Sequence, residues 1–356
     1  MLAPKGRAGR LQRRPLSRLC SPCSRPSRRL SGPPSHVSSP FPHPYRVIGM
    51  VMIGFVGVTT FNKFGKGTTS ILQSVSWRTS SNALSTRLGE YRYHAGTMVQ
   101  KGSRVTAIYD IHGNLPALEA VLAELESVNP DLIVVGGDVV AGPMPTEVMD
   151  RLVTFGERIC FVRGNADREV VAAYDDRLHA DPIDVADPAE RVAAYAASRI
   201  DRKHRDLLAS FAERLIVEVE GVGQVLFCHG SPRSDEEIVT AATTEGRLRE
   251  ILAGVDQDLV VCGHTHAQFD RRVGGKRVVN AGSVGMPYQG KPVGAFWLLL
   301  GADGVSLRRS DYDLDRTVRQ IRATGYPDAE YMVEILLEPP DPERVADFFE
   351  QRAAGD

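Results

Sequence analysis

The sequence predicts an α/β fold: two packed β-sheets flanked by helices. Three observations carry that expectation. Residues 104–165 alternate strand and helix, an order that requires parallel strands joined by helical crossovers. The second half holds three glycine-turned hairpins, at 215–230, 269–280 and 295–310, which add antiparallel strands. In both halves apolar runs stop at a polar residue beside glycine, as strand tips do when they share one rim.

Taken in order, RVTAIYD (104–110) reads as a strand, and NLPALEAVLAELESV (114–128) as an amphipathic helix with apolar residues at three- and four-residue spacing. DLIVVGGD (131–138) is a buried strand, PTEVMDRLVTFG (145–156) a helix with Pro145 near its start, and RICFVRGN (158–165) a third strand. Residues 167–212 are helical in pattern and form an insert outside the first sheet. TEGRLREILAGV (244–255) is a helix that leads into the strand DLVVCGH (258–264). The chain from Leu314 onward is helical, with a break at Pro339-Pro340.

Composition divides the chain. Residues 1–89 hold 14 Lys/Arg and no acid, whereas Met98 to Asp356 hold 28 Lys/Arg against 43 Asp/Glu, a balance of −15. The basic, Ser/Pro-rich stretch 1–97 lacks a hydrophobic period and is expected to be a disordered leader. Its acid-poor composition also fits an organelle-targeting segment. Its one apolar run, residues 47–58, is too short for a membrane helix, which needs about 20 residues. Residues 98–313 then form the main domain, with the insert 167–212, and 314–356 a helical tail packed on it. Cys160, Cys228 and Cys262 fall inside core strands as small hydrophobes. That usage points to a reducing, cytoplasmic setting.

The polar tips carry the chemistry. They are Asp110 and His112 in DIHGN, Asp138 in GGD, Asn165 in RGN, His229 in CHG, and His264 and His266 in GHTH. Singly, each is an ordinary loop start. Together they place four of the six histidines after residue 98 at strand ends. Seven donors are too many for one tetrahedral zinc and suit two ions sharing a carboxylate. Imidazole, carboxylate and amide without thiolate favour Mn, Fe, Zn, Co or Ni. Asp167 is placed either behind a metal-ligating imidazole, orienting it, or as a helix cap.

The order D-x-H, GD, GN, H, GHTH resembles the calcineurin-like binuclear metallophosphoesterases, especially their small prokaryotic phosphodiesterase branch. The likeness runs from Arg104 to Ser283 and includes Asn280-Ala281-Gly282-Ser283. It implies a four-layer α/β/β/α sandwich of the metallophosphoesterase type and two divalent metal ions. By the same resemblance Asp110, His112 and His266 hold one ion, Asn165, His229 and His264 the other, and Asp138 bridges them. The implied reaction is hydrolysis of a phosphate ester by a hydroxide bridging the two ions, with Asn165 also contacting the phosphate.

Many family phosphatases read G-N-H, with a histidine that assists the leaving group; here position 166 is alanine. A methyl group donates no proton, so either phosphodiesters and good leaving groups are expected over phosphomonoesters, or the acid is supplied from elsewhere in the chain. The partner is then a small phosphate ester. A nuclease is the alternative use of such chemistry, but the acidic balance after Met98 repels a polyanion. A scaffold that keeps the fold without catalysis is the other alternative, and it gives no reason for seven polar tips. No partner membrane is indicated, and the sequence does not specify the oligomeric state.

Overall fold

The structure, a computed structural model, describes residues 99–176 and 182–354. The basic leader 1–97 lies outside the described residues, as do residues 177–181 of the insert.

Side-chain alternation decides how the strands face. In chain order they are β1 (Val99–Gly102), β2 (Arg104–Ile108), β3 (Leu132–Val135), β4 (Ile159–Phe161), β5 (Arg214–Val219), β6 (Gly223–Cys228), β7 (Leu259–Cys262), β8 (Phe269–Val273), β9 (Lys276–Asn280), β10 (Ala295–Gly301) and β11 (Gly304–Ser310). Five form a sheet in the order β11-β10-β2-β3-β4, and six form a second in the order β1-β5-β6-β7-β9-β8. Strands β2, β3 and β4 run parallel in the first sheet, and β6, β7 and β9 in the second.

Val105, Ala107, Val134 and Cys160 from the first sheet meet Val217, Val225, Phe227 and Val261 from the second in one buried cluster. The intervening residues face outward: Leu226, Cys228 and Val260 pack on Leu248 and Ile251 of helix α6 (Glu245–Ile251). The outer face of the first sheet, with Ile108, Ile133 and Phe161, is covered by helices α1 (Leu115–Val128), α2 (Pro145–Val153) and α3 (Asn165–Asp176). The result is helix, sheet, sheet, helix: two mixed sheets flanked by helices, as the periodicities predict.

Helix α1 begins where Asn114 accepts a hydrogen bond from Ala117 N, and ends at Asn129 in left-handed backbone. The insert contributes α3, α4 (Pro188–Arg199) and α5 (Arg202–Ala209). The tail forms α7 (Leu314–Ala323), α8 (Ala329–Leu337) and α9 (Pro342–Ala353), and Met332, Ile335, Val345 and Phe349 join the core outside the first sheet. Two features depart from the sequence reading. The first strand is β1, not the stretch at 104; it runs parallel to β5 at the edge of the six-stranded sheet. The tail breaks twice, between α7 and α8 as well as at the prolines, because Gly325 in left-handed backbone and then Pro327 interrupt the helix. Among the described residues no helix is long and apolar enough to cross a membrane.

Candidate metal centre

Every candidate donor follows a parallel strand. Asp110 and His112 come after β2, Asp138 after β3, Asn165 opens α3 after β4, His229 follows β6, and His264 and His266 follow β7. All seven are at most 2 % exposed. Five of them, Asp110, His112, Asp138, His264 and His266, take positive φ between 46° and 66°. Such backbone costs a non-glycine residue about 1–3 kcal/mol and persists only where the surroundings enforce it. It turns the chain at once, so that each side chain aims back over the shared rim.

The neighbouring glycines make room for this. A Cβ on Gly136 would lie 1.9 Å from Tyr109 Cε1, and one on Gly263 would lie 2.4 Å from Tyr109 Cδ1. The Tyr109 ring therefore passes between the two tips, and its hydroxyl donates across to Val261 O at 3.2 Å. A Cβ on Gly164 would meet Asp138 Oδ1 at 2.1 Å.

Carbonyl groups fix which imidazole nitrogen faces inward. His112 Nδ1 pairs with Ala141 O at 3.2 Å, His229 Nδ1 with Gly136 O at 2.8 Å and His266 Nδ1 with Met286 O at 2.7 Å. A carbonyl accepts only a proton, so each Nδ1 carries one and Nε2 is the nitrogen that faces inward. His264 is reversed: its Nε2 faces Glu236 O at 3.1 Å, leaving Nδ1 free.

These inward atoms form two groups that share one carboxylate. Asp110, His112, Asp138 and His266 make the first; Asp138, His229 and His264 make the second. His112 Nε2 and His266 Nε2 stand 3.1 Å apart, two lone pairs face to face. His266 Nε2 lies 3.6 Å from Asp110 Oδ1, and His229 Nε2 lies 3.4 Å from Asp138 Oδ2. Ligands bound at about 2.0–2.2 Å to a common ion stand about 3.0–3.6 Å from one another. Asp110 Oδ1, Asn165 Oδ1, His229 Nε2 and His264 Nδ1 are buried without a hydrogen-bond partner. Unpaired buried donors of this chemistry fit divalent cations. The structure thus brings six of the seven residues into the two groups and leaves the Asn165 carbonyl oxygen buried and unpaired beside them.

Burial and neighbouring charges shift the donors in opposite directions. Burial pushes the Asp110 carboxyl well above the usual range. Asp138 goes the other way: burial opposes its charge, but His229, His112 and His264 outweigh that and hold its pKa low. For His229 burial is overcome by Asp138 and Asp110, which raise it to about 10. His264 is depressed to about 4 by burial and by His229, and His266 falls well below the usual value through burial and His112. The last two are neutral at pH 7, the form that binds metals.

Asp167 corrects one expectation. It orients no imidazole: its carboxylate accepts from the backbone N–H groups of Asp138 (2.9 Å), Val139 (2.8 Å) and Gly164 (3.1 Å). It is not the cap residue either, but sits three residues on and reaches back to the N–H of Gly164, just before the helix. It therefore clamps the Asp138 turn to the start of α3. Replacing Asp167 with alanine is expected to weaken metal affinity about 10–100-fold, checked by titrating Mn into metal-stripped protein.

Three further positioning residues escape a reading by motif. Asn280 donates to Gly263 O at 2.6 Å and Thr265 Oγ1 at 3.1 Å, and so ties down the GHTH turn. Ser283 donates to Asp110 O at 2.8 Å. Tyr288 stacks on the His266 ring, centroids 4.6 Å apart. Asn280 and Ser283 lay within the N-A-G-S resemblance, which named no role for them; Tyr288 carried no signal beyond that of a core aromatic.

Fold and rim together define an α/β sandwich with a buried, metal-competent set of donors where the strand ends of two sheets converge. The sequence pattern of the calcineurin-like phosphoesterase superfamily domain matches residues 104–300. Among solved structures, a hypothetical protein from Pyrococcus horikoshii is similar with a TM-score of 0.57 at 19% identity, over 68% of this chain and 100% of its own. A metallophosphoesterase from Sphaerobacter thermophilus is similar with a TM-score of 0.53 at 25% identity, over 67% of this chain and 99% of its own. No curated protein matches the chain. The chain belongs to the calcineurin-like phosphoesterase superfamily.

Proposed function

We propose that the chain is a phosphoesterase dependent on two divalent ions and that it prefers phosphodiesters to phosphomonoesters. The observation that carries this reading is the pair of buried donor groups sharing Asp138, with four donor atoms left unpaired. Asp110, His112 and His266 hold one ion, Asn165, His229 and His264 the other, and Asp138 belongs to both. Mn, Fe, Zn, Co and Ni all suit this donor set. When bound, the ions supply an acidified water and positive charge toward the phosphate oxygens.

The protein's own groups do the rest. Ala166 N donates to Asp138 Oδ1 at 2.9 Å, which holds the shared carboxylate in one orientation. The Asn165 amide offers its unpaired oxygen to an ion, while its NH₂ hydrogen-bonds Glu169 and keeps a second N–H for a phosphate oxygen. Burial of the whole rim keeps bulk water out and strengthens each of these contacts.

No proton donor stands at position 166, where the Ala166 methyl packs into the core. The leaving group then departs on its own acidity or with a proton from another group, such as Glu169, which hydrogen-bonds Asn165 and whose carboxyl pKa burial raises to about 7. The substrate is a small phosphate ester; the −15 balance after Met98 opposes a long polyanion. Buried free thiols at Cys160, Cys228 and Cys262 suit a cytoplasmic setting.

The test is turnover of bis-p-nitrophenyl phosphate and p-nitrophenyl phosphate by Mn-loaded protein, with metal content measured alongside. A higher kcat/KM is expected for the diester. Across a series of aryl and alkyl diesters, log kcat should fall steeply as leaving-group pKa rises. A flat series would refute the missing-acid argument, and turnover that survives exhaustive chelation would refute the metal dependence.

A further inference from the structure

Between β6 and α6 the chain runs from residue 229 to residue 244 without a helix or a strand. Two carbonyls of this loop hold the GHTH turn. His264 Nε2 pairs with Glu236 O at 3.1 Å, and Thr265 Oγ1 donates to Val239 O at 3.2 Å. The first contact fixes which way the His264 ring turns, and so where its unpaired Nδ1 points. A loop without a ladder of its own places a ligand only as firmly as the loop itself is anchored.

The front of the loop is anchored by Arg168 of α3, which pairs with Asp235 at 3.1 Å and with Glu236. The back is anchored from the far end of the chain. Thr240 Oγ1 donates to Glu350 Oε1 at 2.8 Å, and the Thr243 hydroxyl donates to the same oxygen. Thr240 directly follows Val239, whose carbonyl holds Thr265. Both threonines are buried. Each hydroxyl also accepts a backbone N–H, from Ala242 at 3.1 Å and from Thr240 at 2.8 Å, so its own proton is directed at the carboxylate. Apolar packing does not replace these bonds. A cavity of about 210 Å³, lined by Thr265 and Ala267 of the turn and by Val345, Ala346 and Phe349 of α9, separates the helix from the turn. Dispersion contact is forfeited across such a gap, and the Glu350 hydrogen bonds carry the connection.

We propose that Glu350 is a positioning residue for the second donor group: from the C-terminal tail it sets the loop that aims His264 Nδ1 at the rim. The assignment rests on the two-ion reading and adds to the centre a residue beyond position 300, where the family's sequence pattern ends. Glu350 belongs to neither donor group and acts only through the loop. Without it two buried hydroxyls lose their acceptor, which is costly enough for the segment to shift in search of another. The carbonyls of Glu236 and Val239 shift with it. Glutamine keeps an oxygen able to accept from both hydroxyls.

The experiment titrates Mn into metal-stripped full-length protein by calorimetry, with ions per chain counted by elemental analysis and melting followed alongside. Glu350→Ala should weaken one of the two Mn sites about 10-fold and spare the other, the low end for an outer partner because Arg168 still holds the front of the loop. Glu350→Gln should restore most of the loss, and Asp347→Ala, an exposed change on the same helix, should leave both sites as they were. Thr240→Val, which removes the hydroxyl and keeps the volume, should repeat the loss from the loop side and serves where Glu350→Ala does not fold. His264→Ala identifies the site: in that background, which keeps the first ion, adding Glu350→Ala should weaken Mn binding no further. Unchanged affinity in both Glu350→Ala and Thr240→Val, equal weakening of both sites, or a further loss on the His264→Ala background overturns the positioning role alone. Wild-type protein that binds no Mn overturns the metal-centre reading beneath it.

Discussion

Replacing Asp138 with alanine lowers kcat by on the order of 10³-fold, as expected for loss of a central charge-stabilising group. Asp138 is the residue common to both donor groups, so its removal takes a ligand from each ion at once. It also removes the carboxylate nearest His229 Nε2, 3.4 Å away, and the acceptor of Ala166 N. The substitution thus strands a buried imidazole and loosens the first turn of α3 as well. Elemental analysis should find fewer than two ions per chain in this variant. Alanine at His264 removes a donor from the second group alone, so it should spare the first ion. Full metal content with full rate in the Asp138 variant would end the shared-ligand assignment.

Adding Mn to chelator-stripped protein raises Tm by about 10–20 °C. At a free metal concentration 100 times Kd, each site contributes about 2.7 kcal/mol. For a domain of this size 1 kcal/mol moves Tm by about 2–4 °C. The physical source is the burial of so many polar donors in one place. Asp110 is driven toward its protonated form by burial, while His264 and His266 are driven toward neutrality, all at most 2 % exposed. Cations bind them together only in the folded state, because the donors meet nowhere else. Differential scanning fluorimetry with and without EDTA measures the shift. The same addition should move the Asp138→Ala protein much less, and an equal shift in both would place the stabilising ion elsewhere.

Much of this architecture is visible in one dimension because period-two alternation and glycine placement are local signals. The inward row Val105, Ala107, Tyr109 and the outward Ile108 can be separated by alternation alone. Each of the seven donors marks the place where such a run stops. What stays hidden depends on partners distant in sequence. Strand β1 has no apolar run of its own and exists through pairing with β5, more than 100 residues later. The clamp made by Asp167 involves the backbone of Asp138 and Val139, which no side-chain pattern encodes. Likewise Thr240 and Glu350 stand 110 residues apart, and only folding joins them.

The distance in sequence between Asp110 and His266 has a consequence for biogenesis. His264 N donates to the Asp110 carboxylate across 154 residues, and the first donor group is incomplete until His266 has been translated. A nascent chain paused before His264 carries only part of either half of the centre. Metallation must then follow release of nearly the whole domain from the ribosome, and a chaperone that holds the chain open before β7 docks would also hold it empty.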